Sequence, residues 1–304
     1  MPLVSAVITT FNRKFFLEQA INSVLSQSFS DYELIVLDND STDGTEEFLK
    51  KLNHNNKIKY LKHRNINISQ QRNLAISLAR GKYIAFLDDD DIWLKDKLKN
   101  QVSIFNKSDK SVALVYSGFC FYDDHGKVWG HSKPSKKNNY FMDLLWEKSH
   151  FSGSASNPML RLSAVKRSGL YDEKIRCGED WELYVRLARR FNIEIDASIS
   201  VKIRQHSGLR LGQNILAALH MERRAYFKNY NFMSNELKSR YLQKIGGKYI
   251  RLGFLSKGRR IILASINSNR LNWTSYFQLF LTFLPFNLYI FFHSKYITVK
   301  KMFM

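Results

Sequence analysis

The stretch Lys82-Tyr83-Ile84-Ala85-Phe86-Leu87-Asp88-Asp89-Asp90-Asp91-Ile92-Trp93 sets an apolar run against four consecutive carboxylates. Nothing polar interrupts Ile84 to Leu87, which reads as a strand buried on both faces. Four acids cannot follow into such a core, because unpaired buried charge is too costly. They belong at the strand's carboxyl end, where open α/β sheets bind ligands. Carboxylates this close repel one another unless a positive charge lies between them. Hard oxygen ligands suit Mg2+ or Mn2+, which usually keep part of their shell for substrate phosphates. A solvated acidic turn capping a helix that starts near Lys95 fits the same residues, so the stretch alone leaves both readings open.

Upstream, Leu3 to Thr10 reads as a buried first strand, and Leu17, Ala20, Ile21, Val24 and Leu25 then fall at helical spacing. Glu33 to Leu37 reads as a second strand. It ends in Asp38-Asn39-Asp40-Ser41-Thr42-Asp43-Gly44-Thr45, whose turn formers and N-caps lead into a helix to about Lys51. Ile58 to Leu61 is a short third strand, and Ser69 to Ala79 a helix that Gly81 is expected to stop. Downstream come a helix over Lys95–Phe105, a strand over Ala113–Phe121, a turn at Asp123–Lys127 and a short helix over Tyr140–Lys148. A strand over Ala155–Leu162, a helix opened by Glu179 and irregular strand-like sequence over Ile193–Ile203 follow. Strands alternating with helices predict βαβ units, hence an α/β fold with a mainly parallel sheet flanked by helices.

The 304 residues suffice for one large domain plus an appendage, or for two domains. The net charge of +20 is unevenly spread. From His206 to Met304 there are 16 Lys or Arg against Glu222 and Glu236, or +14, whereas the first 205 residues carry +6. A near-balanced domain thus bears a basic tail, which suits nucleic acid or an anionic membrane surface. Cys120 and Cys177 stand far apart without metal-ligand spacing, which fits a reducing compartment. No basic leader with an apolar segment precedes the first strand, so no signal peptide is expected. From about Leu211 the sequence turns to helices rich in Arg, Lys, Tyr and Phe. Tyr276 to His293 is the most apolar stretch, interrupted by Gln278, Thr282, Pro285 and Asn287. It is short for a spanning helix and is expected to form a helix pair in a bilayer interface, with an ordinary buried helix as the alternative.

Two enzyme classes are disfavoured. No Gly-x-Gly-x-x-Gly follows the first strand, where Thr9-Thr10-Phe11-Asn12-Arg13-Lys14 stands instead. No phosphate-binding Gly-x-x-x-x-Gly-Lys-Ser/Thr loop occurs either. Four features do recur in a known order: Thr10-Phe11-Asn12-Arg13, Asp38 to Thr45, Gln71-Arg72-Asn73 shortly before Gly81 to Asp91, and Glu179-Asp180-Trp181 opening a helix. Together they resemble the family 2 inverting glycosyltransferases of the GT-A fold, of the type that builds bacterial cell-surface polysaccharides. The resemblance covers about Leu3 to Ser207. It implies a nucleotide-sugar-binding and catalytic GT-A domain over 1–207 and a helical, basic and aromatic extension over 208–304 that associates with membranes.

The resemblance also implies roles. Asp38 and Asn39 would face the nucleotide base and ribose, with Thr10, Asn12 and Arg13 beside the donor. Relatives often have Asp-Asp-Gly-Ser where this chain has Asp-Asn-Asp-Ser, and Asn39 can donate as well as accept. Relatives also carry a glycine shortly before Arg72, absent from Asn65-Ile66-Asn67-Ile68 here. Arg72 would hold the base or diphosphate. Asp88 and Asp90 would meet Mg2+ or Mn2+ bridging the diphosphate, Asp89 or Asp91 would lie near the ribose, and His206 would complete the metal site or touch the diphosphate. The register within Asp88 to Asp91 stays open by one residue. Asp180 would be the general base, with Glu179 beside substrate. Trp93 and Trp181 would stack on sugars or pack in the core. The loops His131–Asn139 and Ser149–Asn157 would shape the acceptor pocket.

The function expected is therefore metal-assisted, inverting transfer of a hexose or N-acetylhexosamine. The donor would be a nucleotide-diphospho-sugar such as a UDP-sugar, and the acceptor a hydroxyl on a lipid-linked oligosaccharide, a lipopolysaccharide core or another polysaccharide. The enzyme would sit in the cytoplasm, peripherally on the inner face of the plasma membrane. Two alternatives stand beside it: a protein binding nucleic acid or an anionic surface through the basic tail, where Tyr226, Phe227, Lys228, Tyr230 and Phe232 interleave rings with charge, and a catalytically inactive relative that binds sugar nucleotides.

Overall fold

The structure, a computed structural model, describes residues 1–52, 58–64, 66–136, 139–146, 154–205, 214–284 and 288–289. The chain forms two compact units, Met1–Gly208 and Leu209–Met304.

In the first unit β1 (Val4–Thr10) is buried along its whole length. It takes parallel neighbours on both sides, β2 (Tyr32–Asp38) and β4 (Tyr83–Asp88), and β3 (Ile58–Lys62) adds in parallel to β2. The helices α1 (Lys14–Leu25), α2 (Thr45–Leu52) and α3 (Ile68–Leu78) make the crossovers. Tyr83 to Leu87 of β4 is the continuous apolar run that a strand covered on two faces requires, and β1 is equally buried although it carries Ser5, Thr9 and Thr10. The chain leaves β1 on one side for β2 and returns to its other side at β4. The carboxyl ends of β1 and β4 therefore flank a topological switch point, where open sheets bind ligands.

The rest of the sheet is mixed. The short β5 (Ile92–Trp93) pairs antiparallel with β9 (Asn192–Arg204), which runs parallel to β6 (Val112–Tyr122). Between β4 and β6 lies β8 (Met159–Arg161), antiparallel to both. β7 (Val128–Ser132) hairpins with β6 through the expected Asp123–Lys127 turn. The order is β3-β2-β1-β4-β8-β6-β9-β5, with β7 on β6. Four strand spacings separate β4 from β5 in that order, about 19 Å in a flat sheet. Yet the chain from Asp88 to Ile92 reaches at most about 14 Å. The sheet must curl, and the acid turn closes the curl. Trp93 of β5 and Leu98, Val102 and Phe105 of α4 (Lys97–Lys107) share one core with Ile8, Leu17 and Leu87.

Two expectations change. α3 ends at Leu78 with Ala79 already extended, so Gly81 does not stop it. Gly81 is needed for close approach instead: a Cβ there would lie 2.6 Å from the Ser5 backbone nitrogen. The strand expected over Ala155–Leu162 shrinks to β8, followed by α6 (Leu162–Ser168). Ser156 and Asn157 spend their side chains on hydrogen bonds to Asp91 and to the Ser117 backbone rather than extending a ladder. The helices α5 (Tyr140–Leu145) and α7 (Glu179–Arg190) complete the unit. Residues 137–138 and 149–153 of the two expected pocket loops, and 147–148 of the expected helix, lie outside the described residues.

The second unit holds α8 (Ile215–Asn229), α9 (Asn235–Arg251), α10 (Leu255–Ser268) and α11 (Trp273–Leu281). α9 and α10 pack tightly at Gly246, where a Cβ would come within 2.7 Å of the Ile262 side chain. Of the apolar stretch Tyr276–His293, residues 285–287 and 290–293 lie outside the described residues. Among the described residues no helix is long and apolar enough to cross a membrane.

Candidate active site

The site grows from the carboxyl ends of β1, β2 and β4. Thr10, the last residue of β1, is buried, and its Oγ1 donates to Asp89 Oδ2 at 2.7 Å. Asn12 adopts φ 51°, a left-handed turn that asparagine tolerates better than most residues. Its Oδ1 accepts from the Thr42 N–H at 2.7 Å and its own N–H donates to Ser41 Oγ at 2.8 Å. The loops after β1 and β2 are thereby tied together. The turn aims Arg13 at the acids, where Nη1 donates to Asp89 Oδ1 at 3.0 Å and to Asp90 Oδ2 at 2.8 Å.

At the end of β2 Asp38 is fully buried. Its Oδ1 accepts from the Ser41 N–H at 2.9 Å and its Oδ2 from the Tyr60 hydroxyl at 3.0 Å. Asp38 thus builds the turn itself. Asn39, half-buried, accepts at Oδ1 from the Ile66 N–H at 3.3 Å.

The four consecutive acids separate into two kinds. Asp89 and Asp91 are buried, whereas Asp88 and Asp90 are half-buried. Asp89 is held by Thr10 and Arg13. Asp91 Oδ2 accepts from Ser154 Oγ at 2.9 Å and Ser156 Oγ at 2.6 Å, and its Oδ1 accepts from the Arg204 N–H at 3.0 Å. Asp88 Oδ1 accepts from Arg72 Nη2 at 3.1 Å. Arg72, only 4% exposed, turns inward rather than toward an open surface. Its Nη1 donates to Glu179 Oε1 at 2.6 Å, and its guanidinium lies over the Phe86 and Tyr171 rings. One buried arginine therefore links the end of β4 to the first turn of α7.

The acids outnumber the cations, and their protonation reflects it. Burial pushes Asp89 up to about 7, against the pull of Arg13 and helped by the charge of Asp90. Burial also raises Asp88, despite Arg72, and raises Asp91 well above the usual carboxylate range with help from Asp88 and Asp90. Asp180 sits in the first turn of α7, its Oδ1 accepting from the Trp181 N–H at 2.7 Å. Burial first, then the neighbouring Glu179, push it up to about 7. A carboxyl group poised there can take a proton at neutral pH.

This donor set fits a divalent cation. It is all hard oxygen, it carries surplus negative charge, and Asp88 and Asp90 are the two acids not closed over by protein. Among the described residues no group of three or more His, Cys, Asp or Glu is arranged to hold a metal. Asp88 and Asp90 would supply two carboxylate ligands, which leaves further positions in the shell open to other donors, substrate oxygens included.

Thr10, Arg13, Arg72, Asp88, Asp89, Asp90 and Glu179 fall into linked hydrogen-bond clusters, with Asp180 in the field of Arg72 and Asp88. Asn12, Asp38 and Asn39 build the adjoining turns, and His206 lies outside the described residues. Trp93 is buried, and its Nε1 donates to the Ser156 carbonyl at 2.8 Å, a packing role. Trp181 Nε1 donates to the Leu144 carbonyl at 3.1 Å. The sequence reading missed Ser154, Ser156 and Tyr122, whose hydroxyl donates to the Asp90 carbonyl at 3.2 Å. A buried fourth acid demands donors, and Ser154-Ala155-Ser156 was the signal for them.

The fold is that of a GT-A protein. The chain belongs to glycosyl transferase family 2, whose family model matches residues 5–169. An uncharacterized glycosyltransferase of Rickettsia felis is 28% identical over 68% of this chain, which spans only 35% of that relative. The UDP-Glc:alpha-D-GlcNAc-diphosphoundecaprenol beta-1,3-glucosyltransferase WfaP of Escherichia coli is 33% identical over 45% of this chain and 54% of its own. Among solved structures, S. aureus TarS in complex with UDP-GlcNAc superposes with a TM-score of 0.63 at 15% identity, covering 88% of this chain and 81% of that one. At that identity the likeness speaks to fold alone.

Proposed function

We propose that this chain is an inverting glycosyltransferase. It moves a hexose or N-acetylhexosamine from a UDP-sugar to a hydroxyl of a lipid-linked or polysaccharide acceptor on the inner face of the plasma membrane. The observation that carries the reading is the pairing of two kinds of carboxylate across Arg72: half-buried Asp88 and Asp90 on one side, buried Asp180 near neutrality on the other. UDP as the donor nucleotide is supported by the UDP-Glc in WfaP's name and by the UDP-GlcNAc bound to TarS.

The chain's own residues divide the work. Asp88 and Asp90 would hold Mn2+ or Mg2+, with His206 as a further ligand. When bound, the cation stabilises the charge that develops on the departing diphosphate. Arg13, more than a third exposed and already between Asp89 and Asp90, lies where a phosphate would meet it. Asn39 and the turn built by Asp38 receive the base and ribose. Asp180 accepts the acceptor hydroxyl's proton as that oxygen attacks the anomeric carbon. The bond to the diphosphate breaks in the same displacement, so the configuration inverts and no carboxylate nucleophile is needed. Arg72 fixes Asp88 and the first turn of α7 relative to each other, which sets the reach of Asp180.

The test is release of UDP from a panel of UDP-sugars, with Mn2+ present or chelated. Cation-dependent release from at least one UDP-sugar is the expected result. Release from GDP- or dTDP-sugars alone would overturn the nucleotide, and release equal with and without cation would overturn the metal.

A further inference from the structure

Beyond Glu236 the chain contains no Asp or Glu, while Leu237 to Met304 contains twelve Lys or Arg. Within this acid-free region α11 is inverted relative to a water-facing helix. It buries Ser275 and Gln278 along with Leu281. It turns Trp273, Tyr276 and Phe280 outward, at i, i+3 and i+7, and Phe283 continues the line. Trp273 is 76% exposed, Phe280 63% and Phe283 70%, and Leu271 just before the helix is 80% exposed. The buried serine is satisfied, since the Ser265 and Ser275 hydroxyls share a hydrogen bond of 2.8 Å. The polar face is therefore packed by design of the sequence, and the ring-bearing face is the outer one. Contiguous exposed aromatics of this kind mark an interaction surface.

The charges beside the rings identify the partner. Arg260 on α10 and Arg270 at its end are exposed. Arg259 lies over the Phe283 ring at 4.6 Å, with its Nε donating to Thr282 Oγ1 at 2.9 Å. Aromatic rings settle at the headgroup level of a bilayer, and nearby basic groups are drawn to anionic lipid. Nothing negative among these residues opposes that attraction. We propose that the outer face of α11, flanked by Arg260 and Arg270, lies in the interface of an anionic phospholipid bilayer. The inference deepens the acceptor side of the reading above, because a lipid-linked acceptor would be carried in the same surface. It rests on that reading for its purpose, though lipid binding itself needs no donor site.

The experiment uses the full chain and vesicles of phosphatidylcholine, alone or mixed with phosphatidylglycerol. Flotation should show binding to the anionic vesicles at least about tenfold tighter than to the neutral ones. Trp273→Phe should remove most of the blue shift in tryptophan emission that anionic vesicles produce. Trp273→Ser/Phe280→Ser/Phe283→Ser should lose about tenfold or more in binding, and Arg260→Glu/Arg270→Glu should lose a similar factor at low salt. Equal or absent binding to the two vesicle types would overturn the proposal, as would a triple variant that floats like the parent. A triple variant that changes oligomeric state, or loses oligonucleotide binding, with vesicle binding unchanged would assign the face to a second copy or to nucleic acid and overturn it as well. UDP titration of each sample separates the two readings: lost vesicle binding with intact UDP binding sinks only the membrane surface, and the converse sinks only the donor site.

Discussion

Around the carboxyl end of β4, six carboxylates from Asp88 to Asp91, Glu179 and Asp180 crowd against Arg13 and Arg72, while after Glu236 twelve cations stand with no acid at all. In the first region the charges are buried or half-buried, and their partners are fixed by named hydrogen bonds. The low effective dielectric magnifies every pairing there, so protonation responds to single neighbours and bulk salt barely intrudes. In the second region Arg251, Lys257, Arg260 and Arg270 are exposed, and salt screens exposed charges beyond roughly 8–10 Å. The two regions thus do different things with charge. Buried surplus charge raises the Asp180 carboxyl toward neutrality and, in the proposed reading, favours a bound cation beside a base. Exposed surplus charge leaves stability nearly untouched and acts on partners at a distance.

Four variants would sharpen or break this contrast. Asp180→Asn should lower turnover by a factor on the order of 10² to 10⁴ while leaving UDP affinity nearly intact. In the parent, the raised Asp180 must lose its proton to act, so kcat/KM should rise with pH and level off above about 7. A flat profile from pH 5 to 8 would remove Asp180 from the role of base. Next, Arg72→Met leaves Glu179 and Asp88 without their buried cation. Urea denaturation should show a loss of about 3–5 kcal/mol, and a loss below 1 kcal/mol would contradict the bridging role. Arg13→Gln should act in two directions. It should weaken UDP binding about tenfold, the worth of one charge-assisted hydrogen bond, yet tighten Mn2+ binding in the absence of nucleotide, because Arg13 occupies Asp90. Calorimetry with metal alone reads the second effect, and weaker metal binding would reverse the assignment. Smallest of all, Arg260→Glu/Arg270→Glu should change unfolding stability by no more than about 0.5 kcal/mol.

The switch point was legible because the apolar run Tyr83 to Leu87 and the β-branched-rich Val4 to Thr10 are short enough and bounded as strands are, and because charge must leave a doubly covered core where the run stops. Which of four neighbouring acids turns inward was not legible. Alternation along the chain says that Asp88 and Asp90 share one direction and Asp89 and Asp91 the other, but the choice depends on Ser154, Ser156 and the Arg204 N–H, which arrive from 63 to 113 residues away. The inward turn of Arg72 was not legible for the same reason: its partner Glu179 lies 107 residues on. Gly81 reads as a helix stop from local propensity, whereas its duty is to let two backbones touch across the sheet. β5 has two residues and no periodicity to detect. The inversion of α11 needed burial, since its polar and aromatic residues carry no label for inside or outside.

The most direct measurement is calorimetric titration with UDP, with and without Mn2+, on the parent, Asp90→Asn and Asp180→Asn. Metal-dependent UDP binding in the parent, lost in Asp90→Asn and kept in Asp180→Asn, is the predicted result. No UDP binding by the parent under either condition, or an Asp180→Asn variant that loses binding as fully as Asp90→Asn, would contradict the division of this site into a donor side and a base side.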